Sequence, residues 1–462
     1  MFNKEYDDSS QKDILRHAKQ MVGKCLRDVL CENDSRLIKQ DINSYGKKRK
    51  GHLGNLIEEF VFGISPNSFK EADFIKAGVE LKTIPLKGDK KRKYKAKERL
   101  VFSMIDYMTI IDEKWETSSF IEKNRMLLLM FYLFQSGLSL LDYKFKIVEL
   151  LDLLKDLPSA DIEIIKQDWE IIVSKIRQGK AHELSEGNTN YLAACTKGTT
   201  SEKSYRRQPC SEIKAKSRAL SLKTTYLNKL IEKFLGLTDS ESESYLKDIP
   251  IDEVRKSGIE NITLKKFEPF LSLSIDEIAS KVGYDLSQKR AKNYLEILAR
   301  AMLGVKKRKV EEFEKAGIIL KTIKLEHTGT LKESMSFPII DYMDIVKETW
   351  EESTFRDYLS SHKFLFVIFQ KCRNGVIYLK KVKFWEIPYN DLENHVKKVW
   401  IETQKRIRQG KEELPKMSED PVCHVRPHAQ NKKDRMITPT GTMIVKKCFW
   451  LNSKYIQNQI ES

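Results

Sequence analysis

Cysteine is scarce and irregular in this chain. The seven cysteines, at 25, 31, 195, 210, 372, 423 and 448, are odd in number and form no Cys-x-x-Cys pair. A zinc ribbon is therefore unsupported, and free thiols in a reducing cytoplasm are expected. Long apolar runs are lacking too. The longest, residues 126–134, is far short of the roughly 20 residues a membrane helix needs. It reads as a buried strand or helix, and no membrane is expected as a partner. The first eight residues are acidic and polar and lack an apolar signal segment. Histidines are few and poorly placed for metal: Arg426 and Pro427 stand between His424 and His428 and argue against a helix, and the His182–Glu183 pair reads as structural. Acids are also in deficit, 66 against 83 Lys and Arg, for a net charge of +17. That balance points to a polyanionic partner, nucleic acid above all.

What is present is a run that occurs twice. Asp73 is followed by six residues, then Glu80, one residue, Lys82 and Thr83. The later run carries Glu312, Ile319, Lys321 and Thr322 at the same positions, with Gly78 and Gly317 before the second member of each. The repeat is wider than this motif. Ile105-Asp106-Tyr107-Met108 and Trp115 return as Ile340-Asp341-Tyr342-Met343 and Trp350, and Ile176-Arg177-Gln178-Gly179-Lys180 returns as Ile407-Arg408-Gln409-Gly410-Lys411. A solenoid would repeat every 20–50 residues or so. A period this long means a duplicated domain. The polar stretch 238–244 suggests the division, so we expect an N-terminal domain over 1–237, a linker over 238–262 and a C-terminal domain over 263–462.

Each half reads as α+β. Leu53, Leu56, Ile57, Phe60 and Val61 have the spacing of a helix facing a core. Residues 79–84 and 100–105 are short and rich in β-branched residues, hence strands. Trp169, Ile172, Val173 and Ile176 predict a helix over 168–178 capped by Gly179.

On a strand, Glu80 and Lys82 share one face, about 7 Å apart at Cα, and a turn at Gly78 brings Asp73 back beside Glu80. Two crowded carboxylates repel each other, and a divalent cation relieves this. Oxygen ligands favour Mg²⁺, which also takes phosphate oxygens. Lys82 is then placed to orient a water or meet the phosphorus centre. The second copy has Ile319 in place of Glu80, so one working site and one retired copy are expected. The basic clusters Lys47 to Lys50, Lys306 to Lys309 and Lys87 to Lys97 are candidate phosphate contacts, the last as a hairpin loop.

The block Lys50, Gly51, Gly54 and Glu58, followed by Asp73, Gly78, Glu80, Lys82 and Thr83, resembles MutH, the strand-nicking endonuclease of mismatch repair that recognises GATC. The length, the duplication and the stretch from Lys180 to Gly187 resemble a narrower group, restriction endonucleases that cut GATC and carry two MutH-like domains. The resemblance implies an α/β/α core in two tandem PD-(D/E)XK domains, the second degenerate. It implies Mg²⁺ as cofactor, Asp73 and Glu80 as metal ligands, Lys82 as the catalytic lysine and Glu58, or Glu59 in another helix register, as a further acid. Lys50 and Lys97 are candidate DNA-binding lysines. Tyr191 and Leu192 match the family's Tyr-Leu pair, and Lys197 and Lys223 lie in its DNA-reading segments. The Arg-Pro pair that enters the groove falls on Cys195 and Thr196 in the first copy but survives as Arg426 and Pro427 in the second.

The function expected is thus a type II restriction endonuclease that hydrolyses double-stranded DNA at GATC and leaves 5′-phosphate ends, with the C-terminal domain binding a second DNA site as effector. With one active site per chain, either two molecules meet on DNA as a transient homodimer or one molecule cuts the strands in turn. The alternatives are a nicking endonuclease in repair and a non-catalytic DNA-binding regulator.

Overall fold

The computed structural model describes residues 5–30, 52–65, 71–90, 92–197, 204–285, 293–431 and 433–461. The chain divides into two compact units, Met1–Leu184 with Tyr191–Ser240, and Ser185–Asn190 with Glu241–Ser462.

The first unit begins with α1 (Gln11–Lys19) and α2 (His52–Phe62). Then come β1 (Val79–Asp89), β2 (Lys93–Ala96), β3 (Leu100–Met104), α3 (Ser119–Asn124), β4 (Met126–Leu133) and β5 (Phe145–Asp152). They build a mixed sheet of order β2-β1-β4-β5, with β1 parallel to β4. The apolar run at 126–134 is its central strand. Leu127 to Phe131 are wholly buried, as expected of a strand covered on both faces. Leu53, Leu56, Ile57 and Val61 of α2 pack with Val79 and Leu81 of β1 in one core. The cluster Lys87 to Lys97 is the β1–β2 hairpin, closed by Asp89 opposite Lys93.

Helix α4 (Ser159–Arg177) buries Ile165, Trp169, Ile172, Val173 and Ile176. It ends at Gly179, whose φ of +70° is left-handed and where a Cβ would meet the Cys210 carbonyl oxygen at 2.6 Å. Beyond it, β6 (Leu192–Thr196) and β3 flank β9 (Arg218–Leu222) in a second sheet, with the hairpin β7 (Tyr205–Gln208)/β8 (Ser211–Lys216) and helix α5 (Thr224–Phe234). The start of β6 is anchored by the fully buried Asp168 of α4, which accepts the Tyr191 N–H at 2.6 Å and the Leu192 N–H at 2.9 Å. Asp168→Ala strands both amides in the core and is expected to cost about 3 kcal/mol of stability. An unchanged urea midpoint would contradict this anchoring role.

The second unit opens with the two-residue ladder of β10 (Ser242–Glu243) and β11 (Lys309–Val310). Helices α6 (Ile251–Phe267), α7 (Ile275–Val282), α8 (Tyr294–Met302) and α9 (Glu311–Ala316) precede β12 (Ile318–Leu325) and β13 (Met335–Ile339). After α10 (Tyr342–Ile345) and α11 (Thr354–Ser361) come β14 (Lys363–Lys371), β15 (Ile377–Trp385), α12 (Lys397–Arg408), β16 (Cys423–Pro427), the hairpin β17 (Arg435–Ile437)/β18 (Met443–Val445), β19 (Lys447–Leu451) and α13 (Ser453–Glu461). The expected linker over 238–262 is corrected here. It contains β10 and much of α6, whose Val254, Ile259 and Ile262 are buried, so this stretch is part of the second unit's packing.

The two units repeat each other down to strand register. Leu100 and Val101 stand opposite Leu222 and Ser221, with a shift before Met104 opposite Ala219. Met335 and Ser336 stand opposite Leu451 and Trp450, with the same shift before Ile339 opposite Cys448. The parallel ladders correspond too: Glu80 and Lys82 face Leu127 and Leu129, while Ile319 and Lys321 face Phe364 and Phe366.

Candidate active site

A tight turn makes the site in the first unit. Gly78 takes φ +63°, and the Phe74 and Val79 backbones exchange hydrogen bonds of 2.9 and 3.3 Å. Asp73 is thereby folded against the start of β1, where its Oδ2 accepts the Leu81 N–H at 2.8 Å and its own N–H is donated to Glu80 Oε2 at 3.3 Å. Side-chain alternation sets Lys82 beside Glu80. Its Nζ donates to Glu80 Oε1 at 2.6 Å and to the Phe102 carbonyl at 3.1 Å.

A second ammonium, missed from sequence, reaches the same acid. Lys123 of α3 lies 3.8 Å from Glu80 Oε1 and donates to the Glu71 carbonyl at 3.0 Å. Glu58 looks onto the site from α2. Burial, then the charges of Asp73 and Glu80, push its carboxyl from an ordinary 4.5 up to about 7. Glu80 is also raised, by burial first and foremost and against the pull of Lys82. Acids are thus crowded in low dielectric, and ammonium groups partly neutralise them.

The raised Glu58 has a consequence for stability. Its protonated form is favoured by the fold, so its contribution is complete below about 4.5 and is lost as pH rises through about 7. In chelator-containing buffer, Glu58→Gln is therefore expected to flatten the fall in thermal midpoint between mildly acidic and mildly alkaline pH. A variant with the parent's pH dependence would contradict the placement of this carboxyl.

Among the described residues, no three His, Cys, Asp or Glu side chains are drawn together closely enough to hold a metal ion. The Glu80 carboxylate is turned onto Lys82, which stands in for a counter-ion. The donor chemistry nonetheless suits a hard divalent cation: carboxylate oxygens whose mutual repulsion a cation removes.

The other sequence-derived sites fare unevenly. Lys50 lies outside the described residues. Lys97 sits over the Phe134 ring at 4.5 Å and pairs with Glu98 at 3.5 Å, and it takes no part in the bonds of the acid cluster. Tyr191 is corrected: its ring is fully buried, 4.8 Å from that of Tyr226, so it has no face for DNA. Lys223 is corrected likewise, being buried and serving as the residue before α5, with its N–H on the Tyr191 carbonyl at 3.0 Å. Lys197 is half-buried and tied by its N–H to the Ser217 carbonyl at 2.7 Å. His182 meets Gln208 at 3.0 Å, in keeping with a structural role.

Arg426 and Pro427 are exposed at the end of β16. The Arg426 guanidinium lies 3.8 Å over the Trp450 ring, with the His428 ring 5.3 Å from that indole. Arg426 pairs with Cys448, two residues before Trp450, so the stack is a diagonal cross-strand contact on one face. The same positions in the first unit hold Cys195 and Ser221, both buried.

In the second unit the counterpart of Asp73 is Glu312. It is buried, its carboxyl is raised by that burial, and it accepts the Ser244 hydroxyl and, at 3.3 Å, the Tyr245 N–H. Ile319, at the Glu80 position, packs against the core.

Comparison with known proteins places both halves in one family. A family model described as the DNA mismatch repair enzyme MutH matches twice, over residues 62–168 and 303–396. The chain is 34% identical to the Staphylococcus aureus type II restriction enzyme Sau3AI over 98% of both chains. It is 29% identical to the DNA mismatch repair protein MutH of Shewanella amazonensis over 38% of this chain and 72% of that one. Both matched regions are mixed α/β folds, and among the described residues no helix is long and apolar enough to cross a membrane. An intact acid–lysine strand, a second unit in the same register and a relative matched along its whole length lead to one conclusion: the chain belongs to the type II restriction endonucleases built from two MutH-like domains, the site-specific deoxyribonucleases.

Proposed function

We propose that the first unit cuts both strands of DNA at GATC, with Mg²⁺, to leave 5′-phosphate ends, and that the second unit is a degenerate PD-(D/E)XK domain binding a second DNA site as effector. The observation that carries this reading is the contrast on one strand position: Glu80 beside Lys82 in the first unit, Ile319 beside Lys321 in the second. GATC and Mg²⁺ are taken from the MutH resemblance.

In this reading Asp73 and Glu80 are the residues that would hold the cation. When bound, the cation supplies Lewis acidity at the scissile phosphate and lowers the pKa of water. Lys82, fixed by Glu80 and the Phe102 carbonyl, would orient a water or meet the scissile phosphate beside that cation. Lys123 contributes a second positive charge on the same side. Glu58, whose carboxyl burial and the neighbouring acids raise to about 7, is suited to take up a proton at the acid cluster near neutral pH. DNA in the cytoplasm is the substrate, steered by the +17 net charge.

One intact acid set per chain also favours cleavage of the two strands in sequence, or pairing of two chains on DNA. A plasmid time course tests this. Nicked circles accumulating before linear product, independently of enzyme concentration, indicate one chain cutting twice. Direct linearisation that steepens with enzyme concentration indicates a transient homodimer. Absence of any cleavage with Mg²⁺ would favour a non-catalytic regulator instead.

A further inference from the structure

The second unit carries the lysine of the repeated motif without the groups that hold it in the first. Lys321 faces Phe366 across the parallel ladder as Lys82 faces Leu129. Lys82 is tied to Glu80 and to the Phe102 carbonyl. Beside Lys321 stands Ile319, and among the described residues the Lys321 ammonium makes no hydrogen bond or ion pair. Nor is it simply in water. Burial pulls its pKa below the ordinary lysine range, opposed only by the Glu296 carboxylate, which is itself nearly half exposed and paired with Arg300. The one acid kept from the motif, Glu312, is occupied by Ser244 and Tyr245.

An ammonium partly withdrawn from water, with only the half-exposed Glu296 carboxylate acting on it and no hydrogen-bonded anion, is costly. In the first unit the strand face carries carboxylates that repel phosphate until a cation intervenes. In the second, isoleucine at 319 takes away the carboxylate beside Lys321. We propose that Lys321 seats a metal-free phosphate site, its ammonium taking a non-bridging oxygen of a backbone phosphodiester of the DNA bound by the second unit. This rests on the reading of that unit as a DNA-binding domain. It makes the retired active site a contact that positions the duplex without reading its bases.

The test uses the full chain in the cleavage-dead Glu80→Ala background, in chelator, with a fluorescent GATC duplex in excess so that both units are filled. Lys321→Met is expected to weaken the second binding event about tenfold and to reduce its salt slope by about 0.9, while Lys321→Arg restores both. Because the substitution removes an unpaired charge, the thermal midpoint of Lys321→Met is expected to hold or rise. The extra stabilisation by inorganic phosphate over chloride at equal ionic strength is expected to shrink. Unchanged second-duplex affinity and slope, or a fall in thermal midpoint, would overturn the proposal. Arg426→Ala in the same background separates the two claims. If it weakens the second event while Lys321→Met does not, only the phosphate site fails; if neither variant does, the DNA-binding reading of the second unit fails with it.

Discussion

Glu80→Ala is expected to abolish DNA cleavage while leaving DNA bound. The carboxylate touches both ammonium groups of the site and the Asp73 backbone. In the proposed reading its loss removes a cation ligand, and Lys82 and Lys123 lose the carboxylate they share. Metal-assisted stabilisation of a phosphoryl transition state is worth several kcal/mol, so the rate should fall about a thousandfold or more. Affinity for DNA in chelator should hold or rise, because a negative charge leaves the phosphate-facing surface. Circular dichroism guards against the trivial outcome of a misfolded variant. A well-folded Glu80→Ala enzyme that still cuts at the parent rate would remove the first unit's strand β1 from the chemistry. A parallel Glu312→Ala variant should cost stability, since the Ser244 hydroxyl and Tyr245 amide lose their acceptor, and should leave cutting on a single-site plasmid intact.

The second large effect is expected at Arg426. Exposed, and set over Trp450 at 3.8 Å, its guanidinium is pre-positioned at the end of a strand rather than free on a loop. A bidentate arginine–guanine contact discriminates by about 1–3 kcal/mol, so Arg426→Ala should weaken sequence-specific binding of the second duplex by roughly 5- to 150-fold. It should slow cleavage of two-site plasmids and spare single-site ones. Trp450→Ala should reproduce part of the loss, about 0.5–2 kcal/mol, because it removes the shelf and leaves the charge. Equal rates for parent and Arg426→Ala on two-site plasmids would contradict the effector role.

Much of this was legible in the chain because the relevant signals are local. The period-2 placement of Glu80 and Lys82, and a glycine just before the strand, dictate the turn that returns Asp73. The three-four spacing from Leu53 to Val61 likewise predicts a helix facing a core, and the MutH resemblance adds Glu58, or Glu59, of that helix to the acids. Other features were hidden because tertiary packing decides them. Lys123 comes to Glu80 through the parallel β1–β4 crossover, in which α3 leads directly into β4, and no spacing rule joins residues so far apart. Tyr191 and Lys223 match a DNA-reading pattern by position, yet the hydrogen bonds fixing β6 to α4 and α5 draw both inward. The stack of Arg426 on Trp450, 3.8 Å from the ring, is likewise a contact between strands that no local spacing announces. The charged stretch before residue 262 reads as a linker because α6 spreads its buried Val254, Ile259 and Ile262 around a kink at Gly258, which blurs the helical period.

Crystals of the full chain with duplex and Mn²⁺, measured at the manganese absorption edge, put the central claim to its most direct trial. The account predicts anomalous density against Asp73 and Glu80 of the first unit and none along the strand that bears Ile319 and Lys321. A peak beside Glu312 in the second unit, or an empty map around Asp73 and Glu80, would contradict it.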